Sequence, residues 1–153
     1  MDKIKTLACA EVFKTLPPDA LQLLAGKCEL VAFKEGDPLV IEGHPAEALY
    51  VIAEGQVNYV KRMDEKSGLV LYRWGPGGVV GLSSSLEGGG QFCSAIAAAP
   101  TKALKLPAEY FRILCETDPV YEHRILTQAL FLQSGRLRQA TVRLREFLAK
   151  ILK

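Results

Sequence analysis

The chain has 153 residues, about half of them hydrophobic, and a formal net charge of +2. That length suits one well-buried domain rather than two, the composition excludes disorder as the default, and the near-neutral charge neither requires nor forbids an anionic partner. No apolar run reaches the ~18 residues of a membrane span and no signal-peptide core follows Met1, so a cytoplasmic chain with no membrane partner is expected.

Ile4, Leu7, Ala8, Val12 and Phe13 recur at near-helical spacing and predict a helix over 2–14. Leu16-Pro17-Pro18 ends it, because the residue before a proline disfavours helical geometry. A second short helix follows over 20–27, with Leu21, Leu23, Leu24 and Ala25 apolar. From Cys28 the pattern turns to short β runs at 30–33, 39–41, 49–53, 56–62 and 69–74, each closed by a turn. Two more runs, 92–97 and 102–106, follow a long loop. Short strands with glycine punctuation predict an antiparallel sandwich or jelly roll over 28–106, between the N-terminal helices and a helical segment at 107–153.

The loop at 75–99 has glycines on both sides of a short 82–86 segment that holds Ser83, Ser84 and Ser85. Glycine permits φ > 0 and close approach to a ligand. Serines after a glycine turn open a short helix whose first N–H groups lack intrahelical partners. This is the chemistry of a loop that holds a small anion against a sheet, though a plain surface connection shares it.

Beyond Pro107 a helix is expected over 108–115, and Asp118-Pro119 caps a last helix that can run to Lys153. Leu130, Leu137, Leu144 and Ile151 recur every seven residues and read as a dimerisation seam. The competing reading is one amphipathic helix packed on its own roll. Gly135 marks a bend or a close helix contact. Arg136, Arg138, Arg143, Arg145, Lys150 and Lys153 read as the charged flank of the coiled coil rather than a nucleic-acid surface. The four cysteines, Cys9, Cys28, Cys93 and Cys115, form no close pair and read as reduced thiols, with Cys93 a small buried filler. His44 and His123 are too few and too far apart for a metal centre, so none is expected.

Phe13 and Leu16, Phe33-Lys34-Glu35-Gly36, Ile41-Glu42-Gly43, the run from Leu49 to Val57, Gly81, and Phe111 ahead of Asp118-Pro119 together set a specific order of parts. In that order the chain resembles the cyclic-nucleotide-binding domain family, on the side of the sensor domains of bacterial transcriptional regulators. The resemblance implies an eight-stranded antiparallel jelly roll (a double-stranded β-helix) with N-terminal helices and a long C-terminal helix. It also implies that residues 81–94 form the family's phosphate-binding cassette. Gly81, Leu82, Ser83, Ser84, Gln91, Phe92, Cys93 and Ser94 are then the expected ligand-binding residues, with Arg136 reaching a bound base.

The family pattern there is a glycine, a glutamate for the ribose hydroxyl, a short helix, and an arginine for the cyclic phosphate before a small residue. Here Leu82 holds the glutamate position. Phe92 holds the arginine position, or Gln91 does if Gly88-Gly89-Gly90 shifts the register by one. A lost hydrogen bond to a charged group costs roughly 1.5–3 kcal/mol, so tight cyclic AMP binding is not expected. The ligand is read as a weakly bound cyclic nucleotide or another small anion, with no cofactor.

The leading expectation is a non-enzymatic regulatory domain that couples a ligand at 81–94 to the terminal helix and acts as a homodimer or through a protein partner. The alternative is an interaction module whose pocket is filled by Leu82 and Phe92; the direction in which Phe92 points separates the two. A cupin-like metal enzyme would need several converging histidines. The regulators of this family add a helix-turn-helix domain, for which the 153 residues leave no room.

Overall fold

Asp2 opens α1 (Lys3–Cys9) by accepting from the Ile4 and Lys5 N–H groups at 3.0 and 3.2 Å. The computed structural model describes all residues, Met1–Lys153. The helix stops at Cys9, short of the expected 14, because Ala10 is extended at ψ 128°. Turns then carry Val12, Phe13 and Leu16 into the core, where all three are buried. Tertiary burial overrides local helical spacing there. α2 (Pro18–Lys27) begins on proline, whose missing N–H costs nothing in the first turn.

Eight strands follow: β1 (Glu29–Phe33), β2 (Pro38–Val40), β3 (Ala48–Glu54), β4 (Val57–Arg62), β5 (Gly68–Trp74), β6 (Val79–Val80), β7 (Ser94–Ala97) and β8 (Thr101–Pro107). They form two antiparallel four-stranded sheets, ordered β1-β8-β3-β6 and β2-β7-β4-β5. The chain pattern names seven strands; the eighth is β6, two residues long and paired to β3 through Tyr50–Val80 and Val51–Val79. The turn after β3 needs Gly55, at φ 94°, where a Cβ would overlap the Pro100 carbonyl oxygen.

Two cores result. One lies between the helices and the β3/β8 face, with Phe13, Phe111, Leu49, Val51, Leu104 and Leu106 buried. Phe13 and Phe111 meet edge to face at 6.1 Å. The other, smaller core lies between the sheets and is lined by Leu39, Val40, Ile52, Val57, Val80, Ala95 and Ala97.

A short helix, α3 (Leu82–Glu87), links β6 to β7, and α4 (Ala108–Thr117) leads to α5 (Pro119–Ile151). Asp118 caps α5 by accepting from the Val120 and Tyr121 N–H groups. α5 runs unbroken for 33 residues. Gly135 makes no close contact within the chain, since a Cβ there would meet nothing within 4 Å. Ile125 and Ala129 are buried against the domain, whereas Leu130, Leu137, Leu144 and Ile151 are exposed. The early part of the helix therefore packs its apolar side on its own roll, and beyond it contact narrows to Arg136 against Tyr72 and Trp74 and to the Arg143 guanidinium, which donates to the Leu71 carbonyl at 2.7 Å. No helix is long and apolar enough to cross a membrane.

Candidate functional site

The site is built where β6, α3 and the approach to β7 pass between the roll and α5. Gly81 enters it at φ 85°, and its carbonyl accepts the Ser85 N–H at 3.0 Å. A Cβ on Gly81 would stand 3.0 Å from the Ala48 carbonyl oxygen and 3.6 Å from Gln91 Nε2. Glycine is therefore required, and the Gln91 amide faces it. Leu82 is buried in the larger core and accepts no polar contact. Ser84 and Ser85 are buried as well, and Ser85 Oγ has no partner. Ser83 is exposed and accepts from Gln133 Nε2 at 2.8 Å, which ties α3 to α5.

The register at the end of the cassette follows from the pleat. Successive residues of an extended segment face opposite sides, and Gln91, Cys93, Ala95 and Ala97 are buried while Phe92 is not. Gln91 takes the inward position. Phe92 is 65% exposed and lies outside the cassette. It neither lines the pocket nor fills it, so neither direction foreseen for it describes the protein. Lys61 Nζ sits 4.0 Å from its ring centroid, donates to the Phe92 carbonyl at 2.9 Å and pairs with Glu42 Oε1 at 2.9 Å. Glu42 also accepts the Arg62 N–H at 2.9 Å, and its own N–H donates to Ser94 Oγ at 2.9 Å. These contacts, the Arg62 N–H first, hold the Glu42 carboxyl below its ordinary range. Ser94 thus serves the outer latch rather than the pocket.

Gly88-Gly89-Gly90 is fixed from one side. The Ala46 N–H donates to the Gly89 carbonyl, Gly90 bridges to Pro45, and the Gly43 N–H donates to the Gln91 carbonyl at 2.8 Å. These backbone bonds seat the run against the β2–β3 loop, while all three glycines are exposed and a Cβ on Gly88 or Gly89 would meet nothing within 4 Å.

Inside, Gly81, Leu82, Ser83, Ser84 and Gln91 meet Tyr59, Trp74 and Arg136 around a hollow of about 20 Å³, space for roughly one water. The Tyr59 and Trp74 rings meet at a 50° tilt with centroids 4.9 Å apart, and burial raises the Tyr59 hydroxyl well above its ordinary pKa. Burial likewise raises the Cys93 thiol, which suits a buried filler. Gln91 is 5% exposed and its Nε2 has no hydrogen-bond partner. An unmade bond of that kind costs ~1–3 kcal/mol.

Arg136 closes the hollow from α5. Its guanidinium lies 4.9 Å from the Trp74 ring centroid and 5.5 Å from that of Tyr72, while the Tyr72 hydroxyl donates to the Arg136 carbonyl at 3.2 Å. Beyond it lies a larger cavity of about 280 Å³ that shares Trp74, Val79, Leu82 and Arg136 and adds Gln133, Glu11 and Cys9. Tyr59, Tyr72, Trp74 and Gln133 belong to the site and were not picked out from the sequence. The alternation in β4 and β5 marks the aromatics as strand residues, but nothing local places them against a helix more than 50 residues on.

The comparisons with known proteins bear on the fold and the family. The model of the family described as "Cyclic nucleotide-binding domain" matches residues 30–118, more than half of the chain. The Cyclic AMP receptor protein of Thermus thermophilus is 28% identical over 133 residues, covering 87% of this chain and 60% of that protein. A CRP-like cAMP-activated global transcriptional regulator of Mycobacterium tuberculosis is 27% identical over 126 residues, covering 82% of this chain and 55% of that protein. The chain thus spans under two thirds of the length of these relatives. Among solved structures, the Thermus thermophilus catabolite activator protein matches with TM-score 0.72 and 27% identity over 89% of this chain and 62% of its own. A cyclic nucleotide-binding domain from Methylobacillus flagellatus matches with TM-score 0.76 and 23% identity over 92% and 79%. A shared fold and a family match across the roll lead to one assignment: the chain belongs to the cyclic nucleotide-binding domain family.

Proposed function

We propose that this domain is a regulatory ligand sensor in which a small molecule seated at Gly81, Leu82, Ser83, Ser84 and Gln91 changes the position of α5. The observation that carries the reading is the buried, unpartnered Gln91 Nε2 facing Gly81. A buried donor left unmade is costly, and a ligand that accepts from it recovers that cost. The same place is joined to α5 by Gln133 to Ser83 and by Tyr72 to Arg136, so an occupant must work against those contacts or through them. A ligand shifts such an equilibrium only by its differential affinity for the two helix positions.

The receptor and cAMP-activated names of the relatives direct the first probes to cyclic nucleotides. Cyclic AMP and cyclic GMP are expected to bind more weakly than about 1 μM, because Leu82 offers no acceptor and Gln91 no charge. In a melting screen of cyclic nucleotides, other nucleotides and small organic anions, a true ligand at a hundredfold its Kd adds about 2.7 kcal/mol and raises Tm by roughly 5–10 °C. The reading fails if no compound raises Tm in the native protein and Gln91→Leu leaves every response unchanged.

The output surface is the later part of α5. Leu130, Leu137, Leu144 and Ile151 expose one seven-residue apolar series, which supports a two-fold dimer through this helix. Leu137→Lys with Leu144→Lys should yield monomers by light scattering, and a native protein that stays monomeric at high concentration removes the dimer.

A further inference from the structure

Arg136 is a cation with no carboxylate at ion-pair distance. Its side chain is half-buried, donates no hydrogen bond to the protein, and takes part in neither of the chain's two ion pairs, Lys61–Glu42 and Lys102–Glu54. It is held by the faces of Trp74 and Tyr72 alone. Burial pulls its pKa down from the arginine value, against the pull of Tyr72, Tyr59 and Glu11 upward; a guanidinium nonetheless stays charged in a protein. Aromatic faces hold such a cation by its quadrupole attraction and leave the edge with its N–H donors free. Those donors lie between the small hollow at Gly81–Gln91 and the 280 Å³ cavity, where Arg73 adds a second positive charge against the single carboxylate of Glu11.

The cassette itself is neutral on its inner side: Leu82, Ser84, Ser85, Gln91 and Cys93 are buried there and none bears a charge. We propose that Arg136 supplies the counter-charge of this site, so that the ligand presents an oxyanion, phosphate or carboxylate, to a guanidinium carried on α5 and to the Gln91 amide on the roll. The proposal rests on the sensor reading above and adds the chemistry of its ligand. Forked N–H donors meet two oxygens of an oxyanion at once, a contact stronger than any neutral amide offers. Binding then draws Arg136 off the Trp74 and Tyr72 faces, and the anion is bonded directly to the helix it moves. The charge sits on the moving part rather than on the fixed one.

The test is calorimetry on the full chain with four probes: cyclic AMP, inorganic phosphate, succinate and uncharged adenosine. The proteins are the native chain, Arg136→Gln, Arg136→Lys, and Arg136→Gln combined with Gln91→Arg, each checked for native melting. At least one of the three anions should bind the native protein, and which one does identifies the source of the oxyanion. Arg136→Gln should weaken that anion tenfold or more and leave adenosine unchanged. Arg136→Lys should keep most of the affinity, and Gln91→Arg should restore it in the Arg136→Gln chain, which a packing role for Arg136 would not allow. Equal anion affinity in the native and Arg136→Gln proteins overturns the proposal and leaves the sensor reading standing. Adenosine bound with no anion bound does the same. If none of the four probes binds the native protein and the wider melting screen is also blank, both readings fall together.

Discussion

The two faces of one short segment, residues 91–94, are finished very differently. On the outer face, Phe92 and Ser94 are engaged by Lys61 and Glu42 in a set of contacts between 2.9 and 4.0 Å. On the inner face, Gln91 and Cys93 are buried, and the Gln91 amide has nothing to donate to. Exposed interactions of the outer kind contribute little each, because water competes for every partner. The buried donor inside is more consequential, since no protein group accepts from it. The latch fixes the segment's register and thereby holds an incomplete hydrogen-bond set in the interior. A fold that only supported a helix would gain stability by filling that position with an apolar side chain.

Four changes sharpen or break this contrast. The largest effect is expected from Leu82→Ala, which opens a cavity on the inner side. It should cost about 2–5 kcal/mol in urea unfolding, and a loss under 1 kcal/mol would mean that the inner face is not packed as described. Gln91→Leu comes next. It removes the unpaired donor and should raise stability by ~1 kcal/mol or more while abolishing any ligand-induced rise in Tm; a destabilised protein would show that the amide is satisfied in solution.

Phe92→Ala should cost no more than about 1 kcal/mol, the scale of an exposed cation–π contact, against the 3–5 kcal/mol of a buried phenylalanine. The smallest effect is that of Glu42→Gln, read through pH. The Glu42 carboxyl titrates lower in the folded chain than in the unfolded one. Its contribution is therefore fully present above the unfolded carboxylate pKa and is lost as pH falls through the folded one. The gap in urea midpoint between the native protein and Glu42→Gln should be steady at neutral pH and shrink on acidification. A gap that does not change with pH would show that the latch does not depend on the charge.

Much of the architecture was legible because it depends on local chemistry. Gly36, Gly43 and Gly55 all take positive φ at turns of the roll, where only glycine is at ease. Asp118-Pro119 starts α5 as a cap and first-turn proline should. β6 was not legible: two valines are too few to show a period, and its pairing with β3 is a matter of tertiary register. The end of α1 was misjudged because Val12 and Phe13 fit a helical stripe yet are buried by a turn.

At the site, the choice between Gln91 and Phe92 was open in the residues. It becomes determinate once Ala95 and Ala97 are seen as the buried side of β7 and Cys93, just before it, as buried with them. Only then does Gln91, two residues earlier, join them. Arg136 could be placed near the pocket from the resemblance. That no carboxylate lies at ion-pair distance from it is a property of every neighbour at once, which no stretch of sequence displays.

The length of α5 gives the Arg136 contact a mechanical consequence. The helix continues from Arg136 to Ile151, a span of about 22 Å at 1.5 Å per residue. If α5 pivots at Arg136 and releases the Arg143 bond to the Leu71 carbonyl, a tilt of about 10° there displaces the far end by about 4 Å over that length. That is close to the ~5.4 Å height of one helical turn, a step large enough to shift how apolar ridges on facing helices interlock. On the proposed coupling, a small tilt at one guanidinium is geared up, at the distal end of the rod, to the size of a side chain.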